Sequence, residues 1–503
     1  MRGPLFALLT CALGCASGSA PAPIPLPIPP PSPWYLVTTP NFVVHADLDA
    51  ASAVRAAEAL EDARDALVSV AWPRLDFDNL EPTQVYVVAT VSALQRSFGI
   101  GTLGIFYGGR ELRVFLGGKP DQWERRPDPR FGATSYLRHE LAHQLSSLVY
   151  RRQPRWFAEG LAQFLETAVY SKDGTTVAMG APNIEALTMY RTRPSLSVRQ
   201  MLDWERARAG GRRPPHEFAQ FYGLSWLLVH WLYNTRAEAF ARFQHALAEG
   251  TDPSVAWDAA FPGFDFEAAD RVLEKYSHQG VYTVRTFAVQ RKRRSFLAVA
   301  LSPADEHACR ALIARSASFV DVASREGLLA ESRAETLAAR ALDPDNVEAL
   351  SVDFEGDPLD LLTRARRAVA AHPNDARAYL LMSRAREAEQ PDGPAAEAAL
   401  RQAVALSPGS SSALNNLAWL LLETGRAAEA MGFAMRAVRS APWNANVLDT
   451  YARALFLSGA CERALAIQRQ ATDVSEDLSQ PGAALAERRK HLAEYEAKCG
   501  DPE

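Results

Sequence analysis

His139-Glu140-Leu141-Ala142-His143 sets two imidazoles four residues apart with a carboxylate beside the first. On an α-helix, positions four apart leave the same face, so both rings can meet one metal ion. Glu140 lies one step round the helix, where it can reach a water beside that ion without displacing a ligand. This is the chemistry of a hydrolytic zinc site, in which a cation polarises a carbonyl and a base activates water.

The flanking residues supply the element that must hold these groups. In residues 135–150, Leu137, Leu141, Leu145 and Leu148 form one stripe, so the motif falls within an amphipathic helix. Residues 151–155 make a polar break containing Pro154, and a second helical pattern begins at Trp156 with Glu159 in its first turn. Two antiparallel helices joined by so short a turn would return that carboxylate to His143. The result would be a two-His, one-Glu donor set with its fourth position open.

The stretch HELAH followed by WFAEGLAQFLE resembles the gluzincin branch of the zincin metallopeptidases. The nearer likeness is to bacterial peptidase MA-like domains, in which an H-E-x-x-H helix, a P-x-W-[LF]-x-E-G-[LF]-A helix and a Y-x-x-S helix follow in that order. That resemblance implies one Zn2+ per chain held by His139, His143 and Glu159, with Glu140 as the catalytic base. It also implies that Tyr222, in Tyr222-Gly223-Leu224-Ser225, donates a hydrogen bond to the oxyanion of the tetrahedral intermediate. On an aromatic-rich helix the same tyrosine also reads as a core residue. Two departures qualify the likeness. A G-A-M-E-N segment is missing, which disfavours an aminopeptidase, and Gln163 stands where the thermolysin-like branch carries an acidic residue. Glu166, seven past Glu159, reads either as support for a ligand or as an exposed helix glutamate.

Ahead of the motif, residues 41–46, 84–89, 104–107 and 112–116 are short β-branched or aromatic runs, and residues 51–70 have helical spacing. They predict a small mixed sheet preceding the donor helix. Residues 112–116, the last of these runs, are the candidate edge strand for an extended peptide. His45 sits in an alternating strand pattern and reads as structural.

A chain of 503 residues with 48% apolar and 22% charged residues predicts two or three globular domains. The net charge of -5 leaves no basic footprint, so nucleic acid is not an expected partner. Met1-Arg2-Gly3 and the apolar run 5–13 read as a signal peptide over residues 1–15. Ala12-Leu13-Gly14-Cys15 resembles a bacterial lipobox, which would place a lipid anchor on Cys15 and the chain in the cell envelope; simple secretion is the alternative. Residues 16–33 are a proline-rich tether, and the thirteen residues from Pro21 to Pro33 would reach roughly 40 Å at about 3.1 Å per residue. Cys461 and Cys499 could pair, or all remaining cysteines could be buried thiols.

The second half repeats. Gly425 and Gly459, Ala430 and Ala464, Ala437 and Ala471, and Pro408 and Pro442 are each 34 residues apart. This is the pattern of tetratricopeptide helix pairs, whose concave groove binds protein segments; a purely structural cap is the other reading. The expected fold class is an α+β zincin-like metallopeptidase domain followed by an all-α TPR-type repeat domain. The expected boundaries are 34–280 for the first, 281–303 for a linker or strand pair, and 304–503 for the repeats. Within 281–303, Arg291 to Arg294 reads as a solvated basic turn, with anionic lipid as a further partner. The expected function is a zinc metallopeptidase, more an endopeptidase than an aminopeptidase, acting on protein or peptide substrates. Alternatives are a non-catalytic envelope scaffold built on the repeats, and a zinc hydrolase of a non-peptide amide.

Overall fold

Alternation builds the sheet. Strands β1 (Tyr35–Thr38) and β2 (Phe42–Ala46) form an antiparallel pair, helix α1 (Ala50–Ala71) crosses over, and β3 (Thr83–Val88) joins β2 in parallel. Helix α2 (Val91–Phe98) follows, then β4 (Gly104–Gly108) and β5 (Leu112–Gly117). Val85, Val87, Val114 and Leu116 face α1, while Tyr86 and Phe115, the intervening positions, face the opposite side. Both sides are buried, which is why these strands are nearly continuous apolar runs.

This computed structural model describes residues 33–499 except 78–79, 100–101, 109–111, 126–133, 151, 193–195, 205–214, 280–281, 321–322, 353–357, 390–392 and 478–481. The expected signal peptide, Cys15 and nearly all of the expected proline-rich tether lie outside the described residues. None of the described helices is long and apolar enough to cross a membrane.

The short strands β6 (Glu124–Arg125) and β7 (Thr134–Ser135) pair just before the donor helix α3 (Tyr136–Val149). Ser135 caps α3 by accepting from the Arg138 backbone N–H. Helix α4 (Arg155–Leu165) follows Pro154, then β8 (Val169–Tyr170), β9 (Thr176–Met179), α5 (Ile184–Thr192) and α6 (Val198–Leu202). The long apolar α7 (Pro215–Thr235) packs against α4 and α5. Helices α8 (Ala237–Ala248), α9 (Pro253–Ala260) and α10 (Phe266–Gln279) close this part. A Cβ on Gly160 would collide with the Ser225 carbonyl oxygen, so the glycine after Glu159 is what lets α4 and α7 cross this closely.

His230 of α7 is fully buried. Its Nε2 lies 3.1 Å from the Gly180 carbonyl and its Nδ1 2.8 Å from the Tyr276 hydroxyl, a neutral imidazole with both nitrogens used. Burial pushes its pKa down to about 4. The folded value lies below the unfolded one, so its contribution is complete above about pH 6.5 and is lost as pH falls toward 4, up to about 3 kcal/mol. Urea unfolding of His230→Gln should lose less stability between pH 7 and pH 4.5 than the parent loses. Equal losses would exclude His230 from the acid response.

Two expectations are corrected here. The sheet order is β11-β1-β2-β3-β5-β4, so residues 112–116 lie inside the sheet and β4 is its outer strand, next to α3. The segment 281–303 is neither a linker nor a strand pair. Its strands β10 (Arg285–Ala288) and β11 (Ala298–Ala300) join different sheets, β10 pairing with β9 and β11 with β1. Its basic run is largely exposed, as expected, and is also ion-paired. Arg291 binds Asp62, Lys292 lies 3.5 Å from Asp65, and Arg294 lies 2.7 Å from Asp65, all on α1.

The remaining helices are α11 (Pro303–Val320), α12 (Arg325–Leu342), α13 (Val347–Val352), α14 (Pro358–Ala371), α15 (Ala376–Glu389) and α16 (Pro394–Leu406). They continue through α17 (Ser411–Glu423), α18 (Ala427–Ser440), α19 (Ala445–Leu457), α20 (Cys461–Asp477) and α21 (Gly482–Cys499). Successive helices pack as hairpins, and alanines at the repeating positions, among them Ala430, Ala437, Ala464 and Ala471, are fully or almost fully buried. Cys461 and Cys499 form a disulfide that ties α21 to α20, with a loop-closure contribution of about 3–4 kcal/mol. Cys309 is the free cysteine among the described residues, buried 3.5 Å from His45 Nδ1 in the core between α11 and the sheet. The expected boundaries at 280 and 304 therefore mark no seam: α11 covers the second face of the sheet, and the described residues from Pro33 onward form one unit.

Candidate metal centre

Helix α3 presents His139 and His143 on one face, and α4 brings Glu159 back to them. The two Nε2 atoms lie 3.1 Å apart, and Glu159 Oε2 lies 3.6 Å from His139 Nε2 and 3.4 Å from His143 Nε2. Neighbouring ligands of a tetrahedral zinc with bonds of about 2.0–2.1 Å are themselves about 3.4 Å apart. The three donor atoms already stand at the edges of such a tetrahedron, and they are the cluster of this kind among the described residues. The donor set therefore fits the ion that the sequence pattern implies.

Glu166 decides its own ambiguity. It is buried, and its Oε2 lies 2.9 Å from His139 Nδ1 while Asn183 donates to its Oε1 at 2.6 Å. A proton on Nδ1 is thus held by the carboxylate, so Nε2 is the nitrogen that faces the other donors and would bind the ion. Burial pulls the His139 pKa down, but hydrogen bonds to Glu159 and Glu166 outweigh it and raise the pKa well above 6.5. Burial acts upward on Glu159, and the two imidazoles hold its carboxyl well below the ordinary range. In Glu166→Gln, zinc affinity measured by chelator competition should fall by about 10- to 100-fold. An unchanged affinity would remove Glu166 from the ligand-orienting role.

Glu140 is held by the outer strand of the sheet. Its Oε2 accepts from the Phe106 backbone N–H of β4 at 2.8 Å, and a Cβ on Gly104 would come within 3.0 Å of its Cγ. The outer strand thereby fixes the carboxylate beside the donor set. Tyr222 on α7 is brought to the same place. Burial, then the Glu159 charge, push its phenol upward, with Arg155 opposing. Gln163, where an acidic residue was absent from the pattern, ties α4 to α7 by donating to the Tyr222 carbonyl at 3.0 Å.

Sequence reasoning missed three groups. Arg155 donates to the Tyr222 hydroxyl at 3.3 Å, stands 4.0 Å from Glu159 Oε1, and lies over the rings of Phe218 and Phe221. Its position four residues before Glu159 is the signal that could have found it. Asn183 also caps α5, which an Asn before a helical run can signal. The Phe106 N–H had no sequence signal.

A family described as "Protein of unknown function (DUF1570)" matches residues 133–252, which span the donor helices and the first part of the helical region after them. A tetratricopeptide repeat family matches residues 399–431. No curated protein matches the chain. Among solved structures, the crystal structure of MamA protein is 19% identical, covering 34% of this chain and 94% of that one, with a TM-score of 0.25. The crystal structure of yeast Tom70 is 12% identical, covering 57% of this chain and 61% of that one, with a TM-score of 0.28. At those scores the likenesses carry no argument. The repeat match and the packed helical hairpins are what make the C-terminal half a tetratricopeptide-type array, a fold class that binds proteins.

Proposed function

We propose that the chain is a zinc-dependent peptidase of the gluzincin type, acting within protein or peptide substrates in the cell envelope, with the repeats engaging a protein partner. The observation that carries this reading is the set of three donor atoms at tetrahedral spacing with a strand-fixed carboxylate beside it. His139, His143 and Glu159 would hold the ion, which when bound would polarise a scissile carbonyl and make a neighbouring water more acidic. Glu140 takes a proton from the attacking water and returns it to the leaving amine. Tyr222 donates its hydroxyl proton as a hydrogen bond to the developing oxyanion, while Arg155 occupies a lone pair of the same oxygen and turns that proton away from itself. β4 is the outer strand beside Glu140, so an extended peptide paired with it would lie across the donor set. The Cys461–Cys499 bridge supports an oxidising compartment, consistent with export.

The test is hydrolysis of an unfolded protein by the purified chain, before and after chelation and after zinc repletion. Activity abolished by chelation and restored by zinc is expected. Stoichiometric zinc with no turnover of any unfolded protein would favour the second reading, a non-catalytic scaffold, which the repeat array supports.

A further inference from the structure

A short extended segment, residues 80–83, touches both the helical array and the donor helix. Glu81 donates its backbone N–H to the Ser440 carbonyl at 3.0 Å, at the end of α18, and its carboxylate accepts from the Ser411 hydroxyl at the start of α17. Leu80 packs against both the sheet core and the core of the array. Two residues on, the buried Thr83 hydroxyl accepts from the amide of Gln144, which is also buried and follows His143 on α3. An apolar route runs parallel to this polar one: Leu148 of α3 and Leu112 at the start of β5 belong with Trp443 to the array's core. Beside the segment lies a cavity of about 730 Å³, bordered by Glu81, Gln84, Asp375, Arg377, Ser410 and Trp443.

We propose that the repeat array positions the metal-binding helix, with Glu81 and Thr83 as the lever and Gln144 as the positioning residue that sets the orientation of His143. A side-chain tip lies about 6 Å from its helix axis, so a turn of α3 by about 10° would move the His143 donor atom by about 1 Å. Ligand geometry tolerates about half that displacement. A helix held at Gln144 by the segment that carries Glu81 and Thr83 is hindered from that turn while Glu81 stays bound to Ser411 and Ser440. The cavity gives the segment space to leave, so the array is a point from which the site can be altered as well as a support. The functional meaning of this coupling rests on the donor-set reading; the coupling itself does not.

Three variants of the full chain test it: Ser411→Ala, Ser411→Thr, which keeps the hydroxyl, and Gln144→Leu. The readouts are amide hydrogen exchange along α3 and affinity for zinc alone by chelator competition. In Ser411→Ala and Gln144→Leu, exchange in α3 should quicken and zinc affinity fall, each by about tenfold, while exchange in α10 stays unchanged. Ser411→Thr should restore both. Unchanged α3 exchange in Ser411→Ala would overturn the proposal, and this variant decides alone if Gln144→Leu fails to fold. Should the parent bind no zinc, the donor-set reading fails by itself and α3 exchange still decides the coupling.

Discussion

Glu140→Gln should keep zinc and lose hydrolysis by about 10²- to 10⁴-fold, the usual contribution of a general base. The substitution is conservative in shape. The glutamine carbonyl oxygen can accept from the Phe106 N–H as the carboxylate does at 2.8 Å, so β4 and α3 keep their spacing. What the amide cannot do is hold a proton taken from water and return it to an amine. The loss should therefore fall on kcat, with zinc content and unfolding midpoint matching the parent. Hydrolysis retained at parental rate in this variant would remove Glu140 from the base role.

Glu159→Ala should weaken zinc binding by at least about 100-fold, because it deletes one of three donors and leaves two neutral imidazoles to hold the ion. Glu159 is also the partly buried anion facing both histidines, at 3.4 and 3.6 Å, so its removal takes away the charge that favours a cation there. Glu159→Gln separates these effects: it keeps an oxygen donor and loses the charge, and should fall between parent and alanine. The comparison is made by chelator competition on folded protein. Parental affinity in Glu159→Ala would show that the ion, if bound, sits elsewhere.

How much of this was legible in the sequence differs from residue to residue. The donor set was, because helix periodicity fixes His139 against His143 and a short turn after α3 leaves α4 little choice of position. The role of Glu166 was half legible: its spacing put it on the face of Glu159, but only the approach of α3 showed that His139 Nδ1 was the partner. The edge of the sheet was not legible. Residues 112–116 follow 104–108 in the chain, yet lie inside them, because the antiparallel turn folds β5 inward to pair in parallel with β3. An apolar run buried on both faces carries that information only in hindsight. The partners of Arg291 and Arg294 were hidden for a related reason: Asp62 and Asp65 are 229 residues away in hydrogen-bonded pairs, and charge patterning reads only near neighbours. The docking of the array on the sheet had the same character. The 34-residue period announced the helices, but nothing in it announced that Trp443 and Leu112 share a core.

On the proposed function, one zinc ion sits among His139, His143 and Glu159. The most direct measurement is anomalous scattering at the zinc edge from crystals of the zinc-repleted full chain. A single peak about 2.0–2.2 Å from His139 Nε2, His143 Nε2 and Glu159 Oε2 is the expected result. No peak at that position after repletion, or a peak at other residues with these three empty, would contradict it.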